Sequence, residues 1–97
     1  MSWSLSPDAE EELDQAAAYY RDQASVAVAD AFLDEFERAA RLIAEYPEIG
    51  TPASQGPRLM PLRRFAYSLL YRIEGTEIKI SAVAHHRRRP RYWHDRT

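Results

Sequence analysis

Trp3 and Leu5 alternate with Ser2, Ser4 and Ser6 at the start of the chain, which predicts a short strand with one apolar face. The period then changes. Ala9, Leu13, Ala16, Ala17 and Tyr20 recur at helical spacing, and Phe32, Phe36, Ala39, Ala40 and Ile43 repeat the same spacing. Ser6-Pro7 opens the first helix: the serine caps free N–H groups, and proline at the first helical position sacrifices no hydrogen bond. Asp8, Glu10 and Glu11 add negative charge where the helix dipole favours it. The first helix is expected to run to about Gln23 and the second from about Ser25 to Glu45. The short join makes them an antiparallel hairpin, with alanines on both stripes allowing close approach. Tyr19 and Tyr20 read as half-buried packing residues.

Pro47, Gly50, Pro52, Gly56 and Pro57 then break the chain into a loop that crosses from the helices to a sheet. Leu59 to Leu62 predicts a weak strand, placed at an edge or bulge because Pro61 has no N–H for a ladder bond. Residues 67–73 predict a second strand, Glu74-Gly75 a two-residue turn, and Thr76 to Ala84 a third strand. In the last of these, Ile78, Ile80, Ala82 and Ala84 are expected on one face and Glu77, Lys79 and Ser81 on the other. The order β-α-α-β-β-β reads as α+β: a small antiparallel sheet of about four strands with the helical hairpin packed on one face.

Ninety-seven residues make one domain, spanning 1–97, and a domain this small buries only ~60–65% of its unfolded surface. A partner that covers apolar surface therefore matters to its stability. A hydrophobic fraction of 45% argues against a disordered chain. The absence of cysteine excludes disulfides, thiolate-bound zinc and thiol catalysis. Without a signal peptide or an apolar run of ~18 residues, a cytoplasmic protein without a membrane span is expected. The net charge of −2 conceals a polarised chain. Residues 1–50 carry 12 acids and 3 arginines, whereas residues 51–97 carry 3 acids and 10 basic residues. The balances of −9 and +7 point to an anionic partner for the second half, or to attraction between the halves.

The end of the chain is the densest in chemistry. His85-His86-Arg87-Arg88-Arg89-Pro90-Arg91-Tyr92-Trp93-His94-Asp95-Arg96 gathers five arginines, all three histidines and two aromatics. Three other segments accompany it: Ser-Pro-Asp-Ala-Glu-Glu-Glu-Leu at residues 6–13, Ile43-Ala44-Glu45-Tyr46-Pro47 followed by Gly50, and residues 63–72 from Arg63-Arg64-Phe65 to Tyr71-Arg72. In this order and spacing, the four resemble the RelE/ParE-family toxins of type II toxin–antitoxin systems across essentially the whole chain. The resemblance implies a cognate antitoxin, ParD-like or similar, whose flexible segment folds onto the toxin in a hetero-oligomer. It implies one of two targets. RelE-like members cleave mRNA in the ribosome; ParE-like members, of the plasmid-stabilisation branch, poison DNA gyrase.

RNA cleavage needs a proton acceptor, a proton donor and cations for the phosphorane. On the ribonuclease reading the candidates are Arg64, Arg72, Arg88, Tyr92 and His94. The chain has a single lysine, Lys79, and arginine accepts protons poorly because it stays protonated. The resemblance implies that RelE-like nucleases use lysines and arginines of the middle strands with a C-terminal tyrosine or histidine. The departure from that pattern favours the ParE-like branch and a binding role. The candidate surface for target or antitoxin is then Arg58, Arg63, Arg64, Arg87, Arg88, Arg89, Arg91, Tyr92 and Trp93. Trp93 also reads as a residue that seals the sheet edge, and the arginine run as a solvated tail. His85, His86 and His94 show no metal-ligand spacing, so neither metal nor cofactor is expected.

Overall fold

A computed structural model describes residues 1–87 and 92–93. The elements are β1 (Ser2–Leu5), α1 (Pro7–Gln23), α2 (Val26–Glu45), β2 (Thr51–Pro52), β3 (Arg58–Pro61), β4 (Tyr67–Glu74) and β5 (Glu77–His85). The strands form one sheet in the order β1-β5-β4-β3-β2. The α+β class is the one expected from the sequence, and the order β-α-α-β-β-β-β matches the expected one but for one additional strand. Among the described residues, no helix is long and apolar enough to cross a membrane.

Both helices start as their sequences dictate. Ser6 Oγ accepts from Ala9 N at 3.1 Å with Pro7 in the first turn, and Ser25 Oγ accepts from Val28 N at 3.1 Å. Their stripes meet each other and the sheet. Ala9, Leu13, Ala16 and Ala17 of α1 and Phe32, Phe36, Ala39, Ala40 and Ile43 of α2 are buried with Leu69, Tyr71, Ile78, Ile80 and Val83 of the sheet. Trp3 of β1 meets Phe36 edge to face, with ring centroids 5.5 Å apart. Tyr20 is half-buried against Phe32, Phe65 and Tyr67, whereas Tyr19 is exposed, because the next helical position points away from the sheet.

The sheet departs from the expectation in three details. A fifth strand, β2, lies within the crossover loop and pairs antiparallel with β3 at Thr51↔Leu59 and Pro52↔Arg58. β1 is parallel to β5, with Trp3↔Ile78 and Leu5↔Ile80 in register, because the helical hairpin intervenes before the chain returns to the sheet. Pro61 sits where an edge proline is harmless. Leu62 N donates to Tyr67 O at 2.9 Å, so by alternation the N position of Pro61 faces away from β4, past the end of β2. The β4–β5 turn uses Gly75 and Thr76, with Glu74↔Glu77 as the last pair. Gly75 supplies a positive φ of 62° at its first position.

β5 also carries a β-bulge. Leu70 pairs with Ala82 but Tyr71 pairs with Ile80, so Ser81 is an extra residue. The alternation therefore changes phase. Ile78, Ile80 and Val83 face the helices, while Ala82 and Ala84 lie with Ser68 and Leu70 on the other face. The expected set of Ile78, Ile80, Ala82 and Ala84 on one face is thus split. Leu70, Ala82 and Ala84 are still buried, and Leu70 shares a small cavity with Ser54, Pro57 and Trp93. Trp93 lines the same cavity beside Leu70 and Arg72, on this second face and not at the expected sheet edge.

Candidate functional site

The sequence marked arginines on the late strands and in the tail, and the fold sorts them by place. Arg63 and Arg64 occupy the turn between β3 and β4. Arg64 has a positive φ of 68°, unusual for a residue with a side chain. The turn is tied to α2: Glu35 accepts both the Nε of Arg38 at 2.7 Å and the backbone N of Arg63 at 2.7 Å, while Arg38 Nη2 makes a second bond to its carboxylate at 2.8 Å. These bonds, led by the one from Arg38, hold the Glu35 carboxyl below its ordinary pKa and raise that of Arg38. Asp34, Glu35, Arg38, Arg63, Arg64 and Phe65 line a cleft of about 390 Å³.

The end of β5 comes back to the same turn. His86 N donates to Ala66 O at 2.8 Å, and Tyr67 is the register partner of His85, their rings 4.9 Å apart and nearly perpendicular. Arg87 follows and is exposed, its N donating to His85 Nδ1 at 3.0 Å. Arg63, Arg64 and Arg87 therefore share one end of the sheet, beside a cluster of Tyr20, Phe32, Phe65, Tyr67 and His85. Burial raises the pKa of Tyr20 and Tyr67, so both phenols stay neutral near pH 7 and supply packing surface with a polar tip. Arg88, Arg89, Arg91 and His94 lie outside the described residues.

Two other candidates are placed elsewhere. Arg58 is turned inward: its Nη1 donates to Glu48 O at 3.0 Å and to Gly50 O at 2.8 Å. It braces a turn that Tyr71 also holds, since the buried Tyr71 hydroxyl accepts from Gly50 N at 2.9 Å and donates to Pro47 O at 2.7 Å. A Cβ on Gly50 would lie 2.7 Å from that hydroxyl, so the turn requires glycine. Arg72 projects from the face opposite the helices as the register partner of Lys79, and its Nη1 packs against Gly56. Arg58 and Arg72 thus stand apart from the basic end.

The tail is anchored by a residue that the sequence analysis passed over. Glu12 Oε1 accepts from Val83 N at 3.0 Å, on the stretch of β5 that extends beyond β1, and Glu12 Oε2 accepts from the Tyr92 hydroxyl at 2.6 Å. Its partners lie 71 and 80 positions away, so no local pattern announces the role; Glu12 reads only as one of three successive acids near a helix start. Tyr92 and Trp93 meet edge to face at 5.4 Å. The other pairing missed in the sequence is Ser68 Oγ with His86 Nε2, 2.9 Å apart. Ser68 is only 4% exposed, which closes its hydroxyl to a substrate; the bond fastens the end of β5 to β4. Among the described residues, no group of three or more histidines or carboxylates is arranged to hold a metal ion.

The geometry therefore offers cations and aromatic rings at one end of the sheet, with the phenol of Tyr92 and the hydroxyl of Ser68 already bonded within the molecule. Known proteins place this fold. The chain is similar to a solved structure described as "Chromosomal ParDE TA system from P. aeruginosa", with 20% identity and a TM-score of 0.76 over 88% of this chain and 95% of the other. At that identity the likeness speaks for the fold. No curated protein matches the chain. Residues 4–90 match the family described as "ParE toxin of type II toxin-antitoxin system, parDE". That match spans nearly the whole sequence, and the chain belongs to this family of ParE toxins.

Proposed function

We propose that this ParE-family chain arrests growth by binding DNA gyrase and trapping it on cleaved DNA, and that a cognate ParD-like antitoxin neutralises it within a hetero-oligomer. The observation that carries the reading is the chemistry of the basic end. Arg63, Arg64 and Arg87 stand beside half-buried aromatic rings, and the Tyr92 hydroxyl donates to Glu12 at 2.6 Å. Arginines with aromatic anchors are the residues that dominate protein interfaces. An arginine set does little proton transfer near neutral pH, which disfavours the alternative, cleavage of mRNA on the ribosome. The antitoxin would meet the basic half of the chain with an acidic segment, since residues 51–97 carry a balance of +7.

The test sets DNA cleavage by purified gyrase beside ribosome-dependent mRNA cleavage, each with the wild-type chain and with variants. Gyrase-dependent DNA breaks are expected, retained in Tyr92→Phe and His94→Gln and strongly reduced when Arg87, Arg88 and Arg89 are replaced together. A general acid or base contributes ~10²–10⁴-fold to a rate. Ribosomal mRNA cuts that fall by that much in Tyr92→Phe or His94→Gln would replace this reading with the ribonuclease one.

A further inference from the structure

The β3–β4 turn holds its two arginines from both sides. Leu62 N donates to Tyr67 O at 2.9 Å and closes the turn across its ends. Between those ends Arg64 takes its positive φ of 68°, a conformation that a residue with a Cβ keeps only where its surroundings are fixed. Here both neighbours in the chain are fixed. Phe65 packs its ring against Phe32 and Tyr20, with centroids 5.3 and 5.2 Å away. On the other side the Arg63 amide donates to Glu35 Oε2 at 2.7 Å.

An acid beneath a surface of arginines is otherwise out of place. The charge of Glu35 is compensated within its own helix, since Arg38 meets both oxygens, Oε1 through Nε at 2.7 Å and Oε2 through Nη2 at 2.8 Å. Those two bonds also orient the carboxylate toward the turn. Its lowered pKa keeps it ionised near neutral pH, the state that accepts all three bonds. Only 11% of the Glu35 side chain is exposed, whereas Arg63 and Arg64 are open to solvent. A partner therefore reaches the arginines and not the carboxylate.

We infer that Glu35 is a positioning residue for recognition at the basic end: through the Arg63 amide it fixes the turn, so that Arg63 and Arg64 meet the target as a preset pair. Preset groups lose less freedom on binding, and the difference appears in affinity. The inference rests on the reading that the basic end meets gyrase. Its consequence is opposite in sign to that of charge alone. A carboxylate that only added negative charge beside the arginines would weaken their contact with anionic groups, and removing it would tighten binding. Removing a positioning carboxylate loosens binding.

The test measures the affinity of the full-length chain for purified gyrase. Glu35→Gln is expected to weaken binding about tenfold, near the lower end of what a hydrogen bond to a charged group is worth. Arg38→Gln, which removes only the brace of the carboxylate, should weaken it less. With Arg63→Ala and Arg64→Ala both present, Glu35→Gln should add no further loss, because the side chains that it positions are gone. Asp34→Asn removes a charge from the same cleft and no bond to the turn, so it measures the effect of charge alone. Thermal melts check that the variants fold, and the backbone shifts of Arg64 report the change in the turn. Three results would each overturn this inference alone: equal or tighter binding by Glu35→Gln, an equal loss in Asp34→Asn, or a loss that persists without the two arginines. A wild-type chain that does not bind gyrase would overturn the proposed function and this inference with it.

Discussion

The carboxylate of Glu35 holds two parts of the molecule at once, the Arg38 guanidinium on its own helix and the Arg63 amide of the β3–β4 turn. Its pKa is lowered from an ordinary value of 4.5, chiefly by the Arg38 bond. A carboxyl with a depressed folded-state pKa contributes stability that is complete above its unfolded value and is lost as pH falls through the folded one. Acidification from 4.5 downward, through the lowered pKa, should therefore release the turn that carries Arg63 and Arg64. Amide hydrogen exchange should show this as falling protection of Arg63 below that pH. In Glu35→Gln the Arg63 amide should exchange fast at neutral pH and lose this dependence. A wild-type amide whose protection stays unchanged down to acid unfolding of the chain would refute the role assigned to the carboxylate.

The helices carry the clearest message at the scale of elements. Phe36 is buried between Trp3 and the sheet, and Phe36→Ala should cost ~3–5 kcal/mol in chemical denaturation, as large core truncations do. A loss below about 1 kcal/mol would mean that α2 turns its stripe elsewhere. Both helices and their buried faces were legible because a stripe of 3.6-residue period is a local pattern, and Ser6-Pro7 is a local start signal. β2 was not legible, because a two-residue strand ending in Pro52 has no period to read. The bulge at Ser81 was not legible either: the extra residue exists only relative to β4, and a serine there fits the outward face of a regular strand. The candidate site divides in the same way. The basic run and its aromatics stand out as composition, and the fold brings Arg63, Arg64 and Arg87 together. The separation of Arg58 and Arg72 and the anchoring by Glu12 depend on tertiary contacts that no stretch of sequence contains.

On the scale of the whole molecule, charge is segregated as well as hydrophobicity. An acidic antitoxin segment that binds only the folded toxin should stabilise it by mass action, by ~2.7 kcal/mol at a free concentration of 100 times Kd. For a chain of this size that corresponds to a rise in Tm of roughly 10–20 °C, at ~4–8 °C per kcal/mol. Calorimetry with a peptide of the cognate antitoxin should show this rise, and it should shrink as salt is added, because exposed charges are screened beyond a Debye length of ~8–10 Å. A shift of equal size in high salt would mean that apolar contacts, not charge, carry the complex.

The extra residue in β5 also bears on how the gene can change. Between Ile80 and Val83 the strand holds one residue more than β4 requires. Loss of the single codon for Ser81 would restore strict alternation while leaving Ile80, Val83 and His85 on the side of the helices. Gain or loss of one codon elsewhere between Glu77 and Ile80 would instead exchange the two faces along that stretch, turning Ile78 outward. Along this strand, length variation that keeps the reading frame is tolerable at one position and damaging a few codons upstream.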